Sequence, residues 1–453
     1  MTRTNRRFLP SAVAFLLFLI SIHSSSAATF SVDNLADSGP GSLRQAVLAA
    51  NAAAGPDEII FTVTGSITLT SGRISITDGL VINGPGAGAL TVSGNDLSQI
   101  FFVQSATVAP VEVTLEGLTL TRGREFSAGG ALVTVGENLT ILDSVISDSR
   151  SGLDMDPVSD GCGGNIAQEG GSLRIVNSSV IGGTAIGAGA SFGGNLCLLG
   201  VSLSLERSTV SGGSAHQGGG LYFIFGSTAT VLSSTISGNT AQENGGGVYI
   251  DFGELQFLNS TISGNTAGDD GGGIYANSQG DGHPGSFVSL RLTTVSNNTA
   301  AGTGGSLHLV GDNGGLEIDH SIVANGTPED INLSTGFYTA SYSLIENPLD
   351  PPAMGANNIF GVDPLLGPLA NNGGPTLTHA PLPGSPVIDA GNPAIPSPPP
   401  TDQRGFARIV GNAVDLGSVE AQGFAVEVPT LSEWSILVLS ALLLAVGVWK
   451  LRA

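Results

Sequence analysis

Along most of the chain, apolar residues fall at every second position in bursts of three to five, broken by Gly, Ser or Asn. That is the period of a strand, and each burst is too brief for a helix. The clearest unit runs Ser234-Thr235-Ile236-Ser237-Gly238-Asn239-Thr240-Ala241, then Gly245-Gly246-Gly247-Val248-Tyr249, then Leu255-Gln256-Phe257, and begins again at Ser260-Thr261-Ile262. The apolar residue of this kernel recurs as Leu120, Ile146, Val180, Val210, Ile236, Ile262, Val295 and Val323, spaced 26 to 34 residues apart. Fainter kernels stand at Ile82 and Val92. A fixed kernel with a variable period is what a solenoid yields when its coils share strands and differ in one loop. Three bursts per coil predict an all-β chain wound as a three-faced parallel β-helix. Eight to ten coils at about 4.8 Å each make a rod of roughly 40–50 Å.

Equivalent positions in such a rod stack. Asn95, Asn239, Asn265 and Asn298 each lie three residues after a kernel residue, where other coils place Gly123, Ser149, Gly183 or Gly213. The column is expected to tolerate left-handed backbone and to hold asparagines bonded to one another. A second column is aromatic. Tyr222, Tyr249 and Tyr275 each follow a Gly-Gly-Gly by two residues, and His308 stands in the same place after Gly304-Gly305-Ser306. With Leu221, Val248 and Ile274 pointing inward, alternation sends the rings outward. Such a row suits stacking on sugar rings, and it equally suits a ladder packed on itself.

A solenoid needs covers at its ends. Ser42–Asn51 is the one persuasive helix outside the termini: Ser42 and Gln45 form a capping box, Leu43, Val47 and Ala50 share a face, and Gly55-Pro56 stops it. From about Asp330 the kernel disappears and proline rises, which predicts an irregular cap.

The repeat unit resembles the right-handed parallel β-helix repeat proteins of bacterial surfaces, over roughly residues 80–330. Gly41-Ser42-Leu43-Arg44-Gln45-Ala46 is similar to the N-terminal domain named for its Cys-Ser-Leu-Arg-Glu-Ala (CSLREA) signature, departing from it at the family's cysteine and glutamate. Asp363-Pro364-Leu365-Leu366-Gly367-Pro368-Leu369, Asn371-Asn372-Gly373-Gly374-Pro375-Thr376, Pro383-Gly384-Ser385-Pro386-Val387-Ile388-Asp389-Ala390-Gly391 and Asp402-Gln403-Arg404-Gly405 occur in that order. Together they resemble the choice-of-anchor Q-type region found ahead of surface anchors. Val428-Pro429-Thr430-Leu431-Ser432-Glu433-Trp434 resembles the IPTL-type C-terminal sorting signal of Gram-negative bacteria, with Val428 in place of the family's isoleucine. That resemblance implies recognition by an exosortase-like membrane enzyme. The organisation expected is a signal peptide at 1–28, an N-terminal cap at 29–79, β-helix repeats at 80–330, a C-terminal cap at 331–424 and the sorting signal at 428–453.

Both termini also read physically. Arg3, Arg6 and Arg7 precede an apolar run from Phe8 to Ile22, closed by the small residues Ser26-Ala27-Ala28, as in an export signal. Trp434–Trp449 is apolar and is followed by Lys450 and Arg452. Sixteen residues reach roughly 24 Å as a helix, enough for a short membrane span with its cations on the cytoplasmic side.

Composition fits and narrows this picture. Glycine supplies 67 of 453 residues, without the period of collagen, and 41% of residues are hydrophobic, too many for a disordered chain. The formal net charge is −22, with 37 acidic residues against 15 basic ones. That excludes a phosphate-binding partner such as nucleic acid. The termini hold five of the basic residues, including Lys450, the single lysine of the chain, so the exported body is more acidic still.

Chemistry is sparse. Asp269, Asp270 and His283 have the residue types of a glycan hydrolase, which pairs two carboxylates as acid and base. Their spacing places them in turns and insertions and not on one strand face. Asp389, Asp402 and Arg404 read as a buried Asp–Arg brace in the cap. No metal or cofactor site is implied. Aligning Gly163-Gly164 with Gly193-Gly194 sets Cys162 and Cys197 about five residues apart on adjacent coils, roughly 16 Å along extended strands, which predicts two free thiols. The expectation is a non-enzymatic, envelope-anchored adhesin, matrix or spacer protein, with glycans as possible ligands. A polysaccharide hydrolase or lyase on the same coil is the alternative.

Overall fold

The structure is a computed structural model that describes residues 27–152, 160–187, 190–279, 285–311, 313–349 and 351–422. The expected export signal at 1–28 and the C-terminal segment with its apolar stretch Trp434–Trp449 therefore lie outside the described residues, apart from Ala27 and Ala28. Among the described residues no helix is long and apolar enough to cross a membrane.

Every pairing between its named strands is parallel, and the strands stack into four sheets, three of which run along most of the molecule. One coil shows the pattern. Thr228–Leu232 belongs to the first sheet, Thr235–Ser237 to the second, the two-residue strand Thr240–Ala241 to a narrow fourth and Val248–Asp251 to the third, after which Glu254–Leu258 returns to the first. The molecule is thus a parallel β-helix with three main faces and an extra two-residue strand at one corner. The fourth sheet has seven strands and is confined to the middle coils, from Arg124–Glu125 to Thr299–Ala300.

The kernel residues form one register column. Leu120 pairs with Ile146, then Val180, Val210, Ile236, Ile262, Val295 and Val323. The column continues beyond the sequence kernel, to Val92 and Ile67 at one end and Ile345 at the other. Ile82 lies instead in the first sheet, between Ile59 and Leu115. Twelve strands in that sheet, from Thr29–Val32 to Phe337–Ser341, make a rod of roughly 50 Å at the usual strand spacing. Alternate residues of the three main faces meet in a single core, where Leu221, Phe223, Val231, Ile236, Val248 and Ile250 are at most 1% exposed.

The glycine excess has a steric cause at one corner. Gly245 sits at φ +71°, a conformation costly for other residues, and Gly246 has no room for a side chain. A Cβ on Gly246 would lie 2.4 Å from the Gly272 carbonyl oxygen of the next coil. The same pair of demands falls on Gly163-Gly164, Gly193-Gly194, Gly218-Gly219 and Gly271-Gly272.

The helix Leu43–Ala50 covers the first coil, burying Leu43, Ala46, Val47 and Ala50 against Val32, Ile59 and Ile67. The Ser42 hydroxyl caps it by accepting the Gln45 N–H at 3.3 Å. Arg44 ties this cap to the stack through Asp37 and the Gly72 and Arg73 carbonyls.

The C-terminal segment departs from the expected end cap. Residues 363–422 turn back and lie along the flank of the second sheet as a strap. The strap meets four successive coils: Thr235 donates to the Leu377 carbonyl, Thr261 to Gln403, the Ser418 N–H to Thr294 and the Asn392 N–H to His320. Val387 and Leu416 pack on Ile322, Ala324 and Leu344. A segment rich in proline and glycine cannot join the ladder, but its exposed carbonyls and amides suit the Thr and Ser hydroxyls of the coil flank.

Candidate functional site

The asparagine column is a continuous buried ladder. Asn165 Nδ2 donates to Asn195 Oδ1 at 2.8 Å, Asn195 to Asn239 at 3.2 Å, Asn239 to Asn265 at 2.9 Å and Asn265 to Asn298 at 2.9 Å. All five residues are fully buried. Asn239, Asn265 and Asn298 are those expected from the kernel. Asn165 and Asn195 were missed because they reach the column from the other side of the corner, after Gly163-Gly164 and Gly193-Gly194. The repeated Gly-Gly-Asn was the available signal. Where the kernel position is Gly183 or Gly213, its N–H donates to Asn195 or Asn239. Asn95 is left-handed, at φ +58°, and its N–H is held by the Ser93 hydroxyl. Beside the ladder residues, the left-handed position is the preceding one, at Gly238, Gly264 and Asn297.

The aromatic row faces away from the main core, as the alternation requires, and stacks on itself. Ring centroids are 5.0 Å apart for Tyr222 and Tyr249, 5.1 Å for Tyr249 and Tyr275, and 5.3 Å for Tyr275 and His308. Phe192 closes the other end at 4.6 Å from Tyr222. Each tyrosine therefore lies between two neighbouring rings, and Tyr222 and Tyr249 are 7% exposed. The Gly-Gly corners run over the rings: a Cβ on Gly245 would lie 2.9 Å from the Tyr249 Cβ. Burial pushes the phenols of Tyr222, Tyr249 and Tyr275 above their ordinary value, and the Asp251 carboxylate adds to the shift in each.

The expectation of two free thiols is overturned. Cys162 and Cys197 form a disulfide, with Cα atoms 5.5 Å apart. The alignment behind the expectation is right, since Cys162 is bridged to Phe192. The error lies in treating the chain from residue 192 to residue 197 as straight. It folds back at Gly193, where a Cβ would stand 3.0 Å from the Cys197 Cα, so the residue before the corner lies beside the strand that follows it. The disulfide packs with Phe192 and Tyr222 and so ends the aromatic row. Cross-linking residues 35 apart lowers the entropy of the unfolded chain enough to stabilise the fold by about 4 kcal/mol.

Of the three candidate catalytic residues, His283 lies outside the described residues. Asp269 and Asp270 sit in the turn before Gly271. The Asp270 carboxylate accepts the N–H and the hydroxyl of Thr303 at 2.7 and 2.9 Å, and the Asp269 carbonyl accepts the Gly302 N–H. Thr303 in turn bonds the His308 Nδ1 at 2.8 Å, which links the candidate carboxylate to the end of the aromatic row. Sequence spacing gave no sign of this link, because it crosses from one coil to the next.

In the strap, Arg404 forms the expected brace, with Nη2 at 2.7 Å and Nε at 3.0 Å from Asp402 Oδ2. Asp389 serves apart from it, accepting the N–H groups of Asn412 and Ala413. Arg408 is 1% exposed and donates to the Asp415 and Gly417 carbonyls. Burial lowers its pKa to about 10 against the pull of Glu420, Asp402 and Asp415. Two open cavities, of about 400 and 530 Å³, lie elsewhere, one beside Arg73, Arg124 and Phe126 and one beside Asn325, Asp330 and Glu346. Among the described residues no group of three or more His, Cys, Asp or Glu is arranged to hold a metal ion.

Comparison with known proteins adds short matches. Residues 428–453 match the IPTL-CTERM motif, a C-terminal sorting signal. Residues 233–251 and 259–277 match the Chlamydia polymorphic membrane protein repeat, and each stretch is the greater part of one coil. No curated protein sequence matches the chain. Among solved structures, the crystal structure of pectate lyase Pel9A is similar at 13% identity and a TM-score of 0.41, covering 87% of this chain and 98% of that one.

Proposed function

We propose that the chain is an exported protein, sorted through its C-terminal tail and displayed at the cell envelope as a non-enzymatic adhesin, matrix or spacer rod. The observation that carries this reading is the sorting motif at residues 428–453 behind a continuous parallel solenoid. The solenoid's interior is filled by side chains, and its aromatic row is occupied by its own rings. Both suit a rigid body that presents a surface. In this reading residues 29–79 form the CSLREA-like cap and residues 331–424 the choice-of-anchor Q-like region. An exosortase-like enzyme recognises Val428–Trp434, and the apolar segment after it holds the protein in the membrane before processing. Glycans are the ligand class such a rod meets at a cell surface. Deleting Trp434–Ala453 should move the protein from the envelope fraction to the soluble exported fraction. Unchanged envelope retention of the truncated chain would sink the proposal.

A further inference from the structure

At the end of the aromatic row, four side chains from three coils form one directed chain of hydrogen bonds. Asp270 precedes its Gly-Gly-Gly corner, Thr303 and His308 belong to the next coil, and Ser334 follows the strand Ile331–Leu333 of the coil after that. Ser334 Oγ lies 3.1 Å from His308 Nε2, His308 Nδ1 lies 2.8 Å from Thr303 Oγ1, and Thr303 Oγ1 lies 2.9 Å from Asp270 Oδ1.

The proton positions follow from what each group is able to do. A carboxylate only accepts, so the Thr303 hydroxyl gives its single proton to Asp270. Thr303 Oγ1 then accepts, which puts a proton on His308 Nδ1. The Nε2 of a neutral ring is therefore unprotonated and accepts from the Ser334 hydroxyl. His308 is 3% exposed and stacked on Tyr275, so its ring is held in place, whereas Ser334 is exposed to solvent. A buried imidazole with a fixed tautomer, a carboxylate behind it and an accessible hydroxyl in front is the arrangement that turns a serine into a nucleophile.

We propose that Ser334 is a nucleophile for acyl transfer, with His308 as its general base and Thr303 and Asp270 as positioning residues, and that the substrate is a carboxylic ester. Ser334 Oγ forms a bond to the ester carbonyl carbon while its proton passes to His308 Nε2. The alkoxy group leaves with that proton as an alcohol. Water, deprotonated by His308, then cleaves the acyl-serine to a carboxylic acid and restores Ser334. Because the hydroxyl stands on the outside of the rod, the acyl groups within reach are those carried on extended surface polymers or small molecules. This activity would replace the non-enzymatic part of the display reading, while export and envelope display stand or fall independently of it.

The test uses the full chain, a biotinylated fluorophosphonate and 4-nitrophenyl acetate. The probe should add once per molecule, on the peptide that contains Ser334, and Ser334→Ala should abolish both the adduct and at least nine-tenths of the ester hydrolysis. The groups facing His308 are Asp270 and Glu329, which raise its pKa, and burial against Tyr275 and the corner, which outweighs them and lowers it. Labelling should therefore rise with pH through a single midpoint below 6.5. Thr303→Val keeps the packing and removes the relay, so it should cut labelling about tenfold and move that midpoint. His308→Gln should abolish labelling, and if that variant does not fold, Thr303→Val decides. No adduct on Ser334, or an adduct formed equally fast in folded Thr303→Val, would overturn the proposal.

Discussion

A single asparagine shows how much one residue carries in this fold. Asn265 Oδ1 accepts both the backbone N–H and the side-chain amide of Asn239, and its own Nδ2 donates to Asn298 and to the Ile236 carbonyl. Buried amides bonded this fully strengthen one another, and removing one leaves its neighbours unpaired in a dry interior. Asn265→Ala should cost roughly 2–3 kcal/mol, read as a fall in the urea midpoint with little change in slope. An unchanged midpoint would mean that the ladder follows from the coil geometry without supporting it. Its members were half legible. Asn239, Asn265 and Asn298 share a kernel position, whereas Asn165 and Asn195 fill the same place in space from a different place in the sequence.

At the scale of elements, the strap is the feature least visible in the sequence. Proline-rich motifs announce an irregular region, but nothing in their spacing says that it lies along a flank and not over an end. The docking rests on matched single groups. Gln403, 1% exposed, donates to Thr376 Oγ1 at 2.9 Å and to Thr235 Oγ1 at 3.0 Å, and accepts from Thr261 at 2.6 Å. Gln403→Ala leaves these hydroxyls short of partners and should weaken docking by about 2 kcal/mol. Limited proteolysis should then cut within residues 363–422 at least tenfold faster while the coils stay intact. If cutting spreads equally into the coils, strap and solenoid unfold as one unit. The Cys162–Cys197 bond teaches a related lesson. Coil-to-coil register could be read from glycine pairs, but the path between two aligned positions depends on how a left-handed corner turns, and that is a property of the folded backbone.

Across the whole molecule, the two ends respond to pH in opposite directions. At the N-terminal cap, burial would raise the pKa of Asp37, but the hydrogen bonds from Ser71, Arg44 and Thr70 outweigh it and hold the carboxyl well below its usual 3.8. Its contribution is present above pH 3.8 and is lost as pH falls toward the folded value. Toward the other end, burial raises Asp330 to about 6 and Glu420 to about 7, with Asp415 adding to the shift at Glu420. Their contributions are complete below 3.8 and 4.5 and are lost as pH rises through those folded values. Hydrogen exchange, corrected for its intrinsic pH dependence, should show protection at residues 326–347 and 400–422 falling between about pH 4 and pH 7 while residues 29–79 hold. Between pH 4 and pH 2 the cap should be the part that loosens. Uniform loss of protection along the rod in either range would contradict this assignment.

The amino-acid sequence by itself determined the parallel solenoid, the kernel column, the aromatic row and the capping helix. Each is a repetition or a local pattern, and parallel in-register stacking turns equal positions in sequence into neighbours in space. The tertiary structure decided what repetition does not encode. It closed the disulfide across a folded-back corner, filled the asparagine ladder from two sides and laid the strap on the flank. It also brought Asp270, Thr303, His308 and Ser334 into one hydrogen-bonded chain. These contacts join residues at unequal coil positions, so they depend on how corners and loops pack and on the proton each group has to give.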